Sequence, residues 1–376
     1  MTVRQPTRHS ARMRVVHLET GRHVYGGARQ VLWLARGLQR RGVETTIVCP
    51  QASDMVFQAG RAGVPVRPLP MAGDLDLPFI GRFAELLREL EPDLVHVHSR
   101  RGADWMGGMA ARRVGLPAIL SRRVDRPERR LTARFRYRSY ARVVAISRSI
   151  YGQLEAAGLT TRRLALIRSA VEPALTDPTW TRERLCLEYE LDPRVQLVGC
   201  VAQLIERKGH LPLLRAWRQI VRDCPMARLL LFGQGPLEGE IRRQIRRLDL
   251  GSSVILAGFR PDLPSFLGRL DLVIHPALEE GLGLALLEAQ AAAVPVVAFR
   301  AGGVPETIAD GRTGFLEQVG DGEALAIAAS ELLQNEERRR AFGEAAWQWV
   351  AHEFRVADMV AAHLTLYAEV LETRQT

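Results

Sequence analysis

The chain has 376 residues, of which 47% are hydrophobic and 25% charged, an ordinary balance for a globular protein. One hydrophobic core rarely serves so long a chain, so two domains are expected. Lys and Arg (52) outnumber Asp and Glu (42) by 10, and every one of these cations except Lys208 is an arginine. Such a surface favours phosphate-bearing partners: a nucleotide, an anionic lipid or nucleic acid.

Signals for export are missing from the sequence pattern. No apolar segment follows the arginines of the first 14 residues, so residues 1–12 are interpreted as a flexible basic tail rather than a secretory signal. No apolar run approaches the ~20 residues that span a bilayer. The four cysteines form no CxxC pair, which is typical of a reduced, cytoplasmic protein.

Short β-branched runs alternate with helical periodicity along the chain, which predicts parallel α/β layers. In the first half, strands are predicted at 14–18, 45–49, 93–98, 118–120 and 143–146, and helices at 28–41 and 103–114. In the second half, strands are predicted at 197–202, 228–232, 254–256, 272–275 and 296–299, and a final helix at 356–371.

A weakly patterned segment at 173–193, with prolines and charges, separates the two series and is interpreted as a linker with a short helix. The predicted organisation is therefore an N-terminal domain at 13–172, the linker at 173–193 and a C-terminal domain at 194–355. The last segment, 356–376, is predicted to pack back on the N-terminal domain.

The most specific local feature is the loop PALEEGLGL at 276–284, which follows a predicted strand. Gly281 and Gly283 allow backbone N–H groups to face an anion at the start of the next helix, as in phosphate sites. Glu288 follows Glu280 by eight residues, and a carboxylate there can accept hydrogen bonds from sugar hydroxyls. Taken alone, the loop is equally compatible with a glycine-rich turn and two ordinary glutamates.

Four further segments, in the same order and spacing, make the chain resemble the retaining glycosyltransferases of family 4. They are Gly26-Gly27 after the first strand, AQLIERKGH at 202–210, AGGVPE at 301–306 and DGRTG at 310–314. The resemblance covers nearly the whole chain. It implies an α/β protein of the GT-B fold, in which two Rossmann-like domains face across a cleft and a C-terminal helix returns to the N-terminal domain.

The resemblance also implies a reaction and the residues that carry it out. A hexose would pass from a nucleotide diphosphate sugar, with UDP expected, to a lipopolysaccharide-core or similar envelope glycan or lipid, with retention and without a metal or other cofactor. The catalytic residues would be Glu280, Lys208 and His98. The donor would contact Gly26, Gly27, Gln203, Arg207, Lys208, Gly281, Leu282, Gly283, Leu284 and Glu288. Gln203 is a departure, because the family usually has Arg there.

Two segments bear on the acceptor. HVHSRRGAD at 96–104 ends a predicted strand, so His98 either orients a hydroxyl or is an ordinary structural histidine. Since His98 is expected in the loop, chelation of a metal by His96 and His98 is not expected. Many relatives carry Thr-x-His after the next strand, whereas this chain has SRRVD at 121–125, which resembles a subset linked to bacterial surface glycans and suits a phosphorylated or acidic acceptor.

Nine arginines lie between residues 122 and 142, interleaved with Phe135, Tyr137 and Tyr140. Cations with aromatics favour an anionic membrane surface, so peripheral attachment to the inner face of the cytoplasmic membrane is predicted and no nucleic-acid partner is expected. A solvated helix is the alternative interpretation. The nine positions are 122, 123, 126, 129, 130, 134, 136, 138 and 142.

Other interpretations remain open at this stage. A nucleotide-sugar epimerase or phosphorylase shares the fold, and a non-enzymatic basic adaptor would need only the arginines. An inverting enzyme would need a general base, for which His98, Asp104 and Asp125 are candidates. The sequence GQGPLEG at 233–239 lacks the dinucleotide spacing, and Asp74-Leu75-Asp76 is interpreted as a loop rather than a metal-binding DxD.

Overall fold

The computed structural model describes residues 13–98, 102–173 and 177–373. The predicted basic tail at 1–12 and the arginines at 100 and 101 lie outside the described residues. The chain divides into two compact units, Met1–Ser169 with Val356–Thr376, and Ala170–Arg355. Each unit combines one parallel β-sheet with α-helices.

The sheet of the first unit is made of short apolar runs whose central strands are buried on both faces, the pattern that parallel sheets require. Its strands are β1 (Arg14–Leu18), β2 (Glu44–Cys49), β3 (Val66–Pro68), β4 (Leu94–Val97), β5 (Ala118–Arg122), β6 (Arg142–Ala145) and β7 (Leu164–Leu166). Neighbouring strands pair in parallel in the order β3-β2-β1-β4-β5-β6-β7.

Six helices of this unit connect the strands within the described residues before Ser169, each with an apolar face that packs inward. They are α1 (Gly26–Gln39), α2 (Asp54–Arg61), α3 (Pro78–Leu90), α4 (Ala103–Arg113), α5 (Arg130–Tyr137) and α6 (Arg148–Ala156).

The second unit repeats this plan with six parallel strands. They are β8 (Gln196–Val201), β9 (Ala227–Phe232), β10 (Val254–Gly258), β11 (Leu272–His275), β12 (Val296–Phe299) and β13 (Gly314–Glu317), in the order β10-β9-β8-β11-β12-β13. The helices are α7 (Arg182–Glu188), α8 (His210–Asp223), α9 (Glu238–Arg247), α10 (Leu263–Phe266), α11 (Leu284–Ala291), α12 (Gly322–Gln334) and α13 (Glu336–Glu353).

The segment at 173–193, where the sequence predicts a linker with a short helix, contains α7 and contributes to the core of the second unit. Trp180, Leu185 and Cys186 are buried there among apolar side chains of the sheet. All four cysteines of the chain are free and buried.

The strand order reverses direction between β1 and β4 in the first sheet and between β8 and β11 in the second. At such a point the loops leave the two strands in opposite directions, and a ligand crevice forms at the carboxyl ends. Predicted site residues follow these strands in both units: Gly26, Gly27 and His98 in the first, Gln203, Lys208 and Glu280 in the second.

The long central strands agree with the sequence prediction to within about two residues, whereas three short strands were not predicted. These are β3, β7 and β13, each at an edge of its sheet. These strands have only three or four residues and are partly exposed, so their sequence pattern is weak even where, as in β7, the residues are apolar. No helix among the described residues is long and apolar enough to cross a membrane.

The last helix, α14 (Val356–Glu372), belongs to the first unit and packs against α1. The contact is tight at Gly37, where an added Cβ would lie 2.5 Å from Cγ2 of Val360. Val360 is fully buried, so it has no free space into which to move. The missing side chain of Gly37 therefore allows the C-terminal helix to approach this closely.

Gly37→Ala is expected to lower the free energy of unfolding by about 1–2 kcal/mol, because overpacking against Val360 outweighs the helical preference for alanine. The matched control is Gly60→Ala in α2, where an added Cβ meets nothing within 4 Å and a gain of about 0.5–1 kcal/mol is expected. Urea unfolding followed by circular dichroism measures both. Equal effects of the two substitutions would contradict the tight contact.

Candidate active site

The loop after β11 brings Glu280 to the carboxyl end of the second sheet. β11 ends at His275, and the chain then runs through 276–283 to the start of α11. Gly283 precedes this helix with φ of 99°, a left-handed conformation that favours glycine. The turn thus directs the backbone into α11 immediately after Glu280.

Lys208 reaches the same place from the neighbouring strand, β8. It ends a 3-10 turn, Glu206–Lys208, and is followed by Gly209 with φ of 72°. A Cβ at Gly209 would lie 1.8 Å from the carbonyl oxygen of Pro276, so only glycine allows this turn to contact the Glu280 loop. The backbone of the two loops is joined by a 2.8 Å hydrogen bond from the Leu278 amide to the Arg207 carbonyl.

The result is a buried ion pair. Lys208 Nζ donates to Glu280 Oε2, and the two side chains are 11% and 13% exposed. Burial raises the pKa of Glu280, but the charge of Lys208 and the hydrogen bond from His275 outweigh it and hold the pKa below its usual range. Glu280 is therefore a carboxylate at neutral pH.

His275 is a site residue that sequence reasoning missed. Its Nε2 lies 2.8 Å from Glu280 Oε2 and must donate, since the carboxylate only accepts. Burial lowers the pKa of His275, so the ring is neutral at neutral pH. Its only signal in the sequence was its position as the last residue of an apolar strand that feeds the glycine loop, and this residue orients the carboxylate.

The other carboxylate oxygen of Glu280 engages one of the backbone amides that the sequence predicted to face an anion. Glu280 Oε1 accepts from the Gly281 amide at 3.0 Å, so this amide is engaged by the protein itself. The amides of Gly283 and Leu284, in contrast, donate to no group within the described part of the chain and lie at the N-terminus of α11. Glu288 lies on α11 and is buried.

Gln203 and Arg207 lie beside this pair on the segment that follows β8. Arg207 Nη1 donates to the Glu279 carbonyl at 3.4 Å. The glycine turn at 233–239 packs against the same segment: a Cβ at Gly233 would lie 1.9 Å from the Ala202 carbonyl oxygen. These glycines thus support the segment that carries Gln203, which is a packing role.

In the first unit, Gly26 and Gly27 begin α1 directly after the turn that follows β1. The residue before the helix, Tyr25, makes no side-chain capping bond. The amides of Gly26 and Gly27 donate to no group in the described ranges. Free amides at a helix N-terminus attract anions, so this turn has the geometry that the sequence predicted for a phosphate contact.

His98 belongs to a buried histidine cluster, which the sequence analysis did not anticipate. His98 Nε2 lies 3.0 Å from His17 Nδ1, and the His96 and His98 rings are 3.8 Å apart. His96 bonds Tyr367 Oη at 2.6 Å and Ser121 Oγ at 2.9 Å, so both its nitrogens are engaged. Burial lowers the pKa of His17 to about 3 and those of His96 and His98 well below the usual value.

The three histidines bring ligand atoms within 4.8 Å of one another, a spacing that a metal ion could occupy. Chelation by His96 and His98 was not expected from the sequence, because His98 follows the strand; in the structure the two rings nevertheless lie 3.8 Å apart. Both nitrogens of His96 have partners, Tyr367 and Ser121, and His98 Nε2 faces His17 Nδ1. His17 Nε2 is buried and has no partner among the described residues. The hydrogen bonds hold the rings of His96 and His98 in fixed orientations.

The other candidate acids of the first unit are tied to partners. Asp104 lies 3.5 Å from the guanidinium of Arg136, and Asp125 accepts from Ser149 at 3.0 Å. Asp76, in the early DxD-like loop, accepts from Arg82 and from the Ala72 amide at 2.7 Å. These contacts give each carboxylate a structural role.

Seven of the nine arginines fall into two groups, and the other two, Arg123 and Arg142, are of intermediate exposure. Arg122 and Arg136 point inward and both contact Glu128, while Tyr137 and Tyr140 are buried. The outward group lies in the same segment as two exposed apolar side chains on α5, Leu131 (82%) and Phe135 (50%). Its members are Arg126, Arg129, Arg130, Arg134 and Arg138, and the last stacks on Phe135 at 3.8 Å.

Comparisons with known proteins identify the family of this chain. The family model for glycosyl transferases group 1 matches residues 188–349, and that for the glycosyl transferase 4-like domain matches residues 25–170. The crystal structure of Anabaena HepE with UDP and glucose superposes with a TM-score of 0.83 at 20% identity, covering 95% of this chain and 99% of that one. The chain therefore belongs to the family 4-like glycosyltransferases and has the GT-B fold.

Two relatives show higher sequence identity than that structure. N-acetyl-alpha-D-glucosaminyl L-malate synthase of Bacillus anthracis is 33% identical over 184 residues, which cover 49% of this chain and 48% of the relative. The 2-deoxystreptamine N-acetyl-D-glucosaminyltransferase of Streptomyces fradiae is 28% identical over 83% of both chains. The matches to the first of the curated relatives span only about half of their length.

Removing the ammonium of the ion pair is expected to destabilise the second unit in a pH-dependent way. Lys208→Met leaves Glu280 buried and unpaired, which costs about 3 kcal/mol of unfolding free energy at pH 7. Because the folded-state pKa of Glu280 is depressed, the pair contributes its full stability above the unfolded pKa of 4.5, and this contribution is lost progressively as the pH falls from there toward the folded-state pKa. Urea unfolding at pH 7 and pH 4 measures the difference.

The control is the double variant Lys208→Met with Glu280→Gln, which removes both charges and should recover most of the lost stability. A loss that is the same at both pH values, or that persists in the double variant, would contradict a coupled buried pair.

Proposed function

We propose that this protein transfers a hexose from a nucleotide diphosphate sugar to an acceptor hydroxyl. The observation that supports this most is the buried Lys208–Glu280 pair beside the N-terminus of α11, at the strand-order reversal of the second sheet. A cation, free amides and a fixed carboxylate at one place suit a diphosphate next to a sugar. UDP is the proposed nucleotide, in keeping with the resemblance described above.

Lys208 would neutralise the charge that builds on the leaving diphosphate. As the sugar–phosphate bond breaks, negative charge grows on the departing oxygen and positive charge on the anomeric carbon. The ammonium would exchange part of its contact with Glu280 for the phosphate, assisted by the amides at Gly283 and Leu284. Arg207 and Gln203 would line the same side of the donor.

Glu280 would remain in place when Lys208 turns to the phosphate, since His275 and the Gly281 amide still hold it. A fixed carboxylate there would accept hydrogen bonds from the sugar hydroxyls and face the positive charge of the transition state. Glu288, on α11, is proposed to bind the ribose. With these groups in place, the reaction is proposed to need no metal.

In the first unit, His98 is proposed to orient a hydroxyl of the sugar or acceptor. Its neutral imidazole can donate and accept, and the histidine cluster fixes its ring. Asp104 and Asp125 are engaged elsewhere, which leaves fewer candidates for the general base of an inverting reaction and favours retention. An epimerase or phosphorylase of the same fold would use the same donor residues without a separate acceptor.

Isothermal titration with UDP, GDP and ADP in EDTA tests the donor site. One nucleotide, expected to be UDP, should bind, and Glu288→Ala should weaken it roughly 10-fold or more because hydrogen bonds to a charged group are lost. Lys208→Met with Glu280→Gln should weaken it similarly while leaving the unit folded. Arg215→Met, which removes an exposed cation on α8, is the matched control and should bind as the wild type does.

Binding that appears only after Mg²⁺ is restored would contradict the metal-independent site. If no nucleotide binds either in EDTA or with Mg²⁺, the proposed donor site is wrong and the result favours the non-enzymatic basic adaptor.

We further propose that the outward arginines with Leu131 and Phe135 bind an anionic membrane surface, which would place the enzyme on the inner face of the cytoplasmic membrane near a lipid-linked or lipopolysaccharide-core acceptor. Exposed apolar side chains in an arginine-rich segment suit insertion between lipid headgroups, because the guanidinium groups can then bind the lipid phosphates. Nucleic acid is not the expected partner, because two of the three interleaved aromatic residues, Tyr137 and Tyr140, are buried and cannot stack on successive bases.

Flotation with phosphatidylcholine vesicles, with and without phosphatidylglycerol, tests this surface. Leu131→Asp should reduce binding to the anionic vesicles roughly 10-fold, since it removes about 1.5–3 kcal/mol of apolar burial and adds a repelled charge. Leu187→Asp is the control: Leu187 is 79% exposed, on α7 of the other unit. The proposal would be contradicted if the two variants bound anionic vesicles equally well. It would also be contradicted if the wild type bound neutral vesicles as well as anionic ones.

A further inference from the structure

His210 is a buried side chain that the proposed function does not use. It is the first residue of α8, directly after the left-handed Gly209, and it is only 1% exposed. Neither its Nδ1 nor its Nε2 has a hydrogen-bond partner among the described residues. Buried polar groups are normally hydrogen-bonded, so two free nitrogens on one buried ring point to a partner other than these side chains.

His275 has a free nitrogen as well. Its Nε2 donates to the Glu280 carboxylate at 2.8 Å, so the ring proton lies on Nε2 and Nδ1 carries a lone pair. The residue is 2% exposed, and Nδ1 has no partner within the described ranges. The imidazole that orients Glu280 is thus held by the described residues at one nitrogen only.

The two histidines flank the contact between their loops, which follow the neighbouring strands β8 and β11. His210 follows Gly209, and His275 precedes Pro276; a Cβ at Gly209 would lie 1.8 Å from the Pro276 carbonyl oxygen. The through-space effect of His275 on the pKa of His210 is larger than that of Lys208. The two rings therefore share one buried environment beside the ion pair.

The free nitrogens of the two rings are chemically complementary. Burial lowers the pKa of His210 to about 4, so at neutral pH its ring is neutral, with one N–H and one lone pair. Nδ1 of His275, in contrast, can only accept. A water molecule between the rings would accept from the His210 N–H and donate to His275 Nδ1. Buried waters are typically found where polar groups lack other partners, and they make about three hydrogen bonds each.

We infer that His210 is a positioning residue of the donor site: through one buried water, its ring holds Nδ1 of His275 and so fixes the imidazole that orients Glu280. The contacts would run from His210 through the water and His275 to the carboxylate. A hydrogen bond to one ring nitrogen determines which proton the other nitrogen carries and how the ring is oriented.

The consequence for the reaction rests on the proposed function. When Lys208 turns toward the leaving diphosphate, Glu280 depends more on its other two contacts, His275 and the Gly281 amide. An imidazole held at both nitrogens keeps its Nε2–H directed at the carboxylate, whereas one held at a single nitrogen can rotate. His210 would thus keep Glu280 in place during the step in which its ion pair is weakened.

NMR of the intact protein with ¹⁵N-labelled histidine tests the contact. Long-range ¹H–¹⁵N spectra distinguish protonated from unprotonated imidazole nitrogens and show which lone pairs accept a hydrogen bond. We expect His275 to carry its proton on Nε2 and a bonded lone pair on Nδ1, and its signals are assigned by their loss in His275→Gln. In His210→Phe, which keeps a planar ring without nitrogens, the Nδ1 signal should move to the position of an unbonded nitrogen.

Two further variants complete this experiment. His210→Gln should restore much of the bonded signal, because its amide can donate and accept. His352→Phe, at a side chain that is 83% exposed on α13, is the matched control and should leave the His275 signals unchanged. An Nδ1 signal that is the same in wild type and His210→Phe would overturn the inference, and so would a proton on His275 Nδ1.

A crystal structure of the wild type gives a second readout that needs no variant, should His210→Phe fail to fold. We expect an ordered water within hydrogen-bonding distance of His275 Nδ1 and of one His210 nitrogen. If no water joins the two rings, or if the two nitrogens bond other groups of the protein, the inference is wrong.

Titration with UDP, GDP and ADP separates this inference from the proposed function. His210→Phe should bind the nucleotide as the wild type does, since His210 reaches the donor only through His275 and Glu280. A loss as large as that of Lys208→Met with Glu280→Gln would show a binding or folding role and overturn the positioning role. If the wild type binds no nucleotide, the proposed function fails, and the NMR spectra still decide whether His210 holds His275.

Discussion

The second unit is organised around one buried ion pair. Lys208 and Glu280 come from loops after neighbouring strands, and neither charge would be tolerated there alone. The pair requires that the two loops contact each other, which the left-handed Gly209 against the Pro276 carbonyl allows. The strand-order reversal places the two loops at one sheet edge, the glycine turn lets them touch, and His275 orients Glu280 toward Lys208.

Both units place their predicted site residues at the carboxyl ends of the strands, but the charges of these residues differ. In the second unit, a carboxylate and an ammonium remain ionised because they compensate each other. In the first, burial without acidic partners leaves a set of neutral imidazoles, and the cation Arg123 stays only partly covered. A donor with a charged leaving group and a neutral acceptor hydroxyl would need both environments, one to stabilise charge and one to orient a proton without adding charge.

The sequence predicted what depends on local pattern and motif spacing. The central strands are continuous apolar runs, and Glu280 and Lys208 lie in motifs of fixed order, so both were predicted. The edge strands, the role of His275 and the engagement of the Gly281 amide depend on contacts between segments far apart in the chain. The arginine run is another example. The sequence shows nine cations, but only the structure distinguishes the arginines that pair with Glu128 from those that face outward.

The C-terminal helix is a further example of a site that depends on contacts between distant segments of the chain. Tyr367, on α14, bonds His96, and His363 packs beside the same ring, so the cluster that fixes His98 is completed by the last element of the chain. That helix can approach α1 only because residue 37 lacks a side chain. α1 is one continuous helix, Gly26–Gln39, with Gly37 near its end and Gly26 and Gly27 at its start. A shift at the contact with α14 would therefore also move Gly26 and Gly27, the residues predicted to contact the donor, and would disturb the histidine cluster that α14 completes.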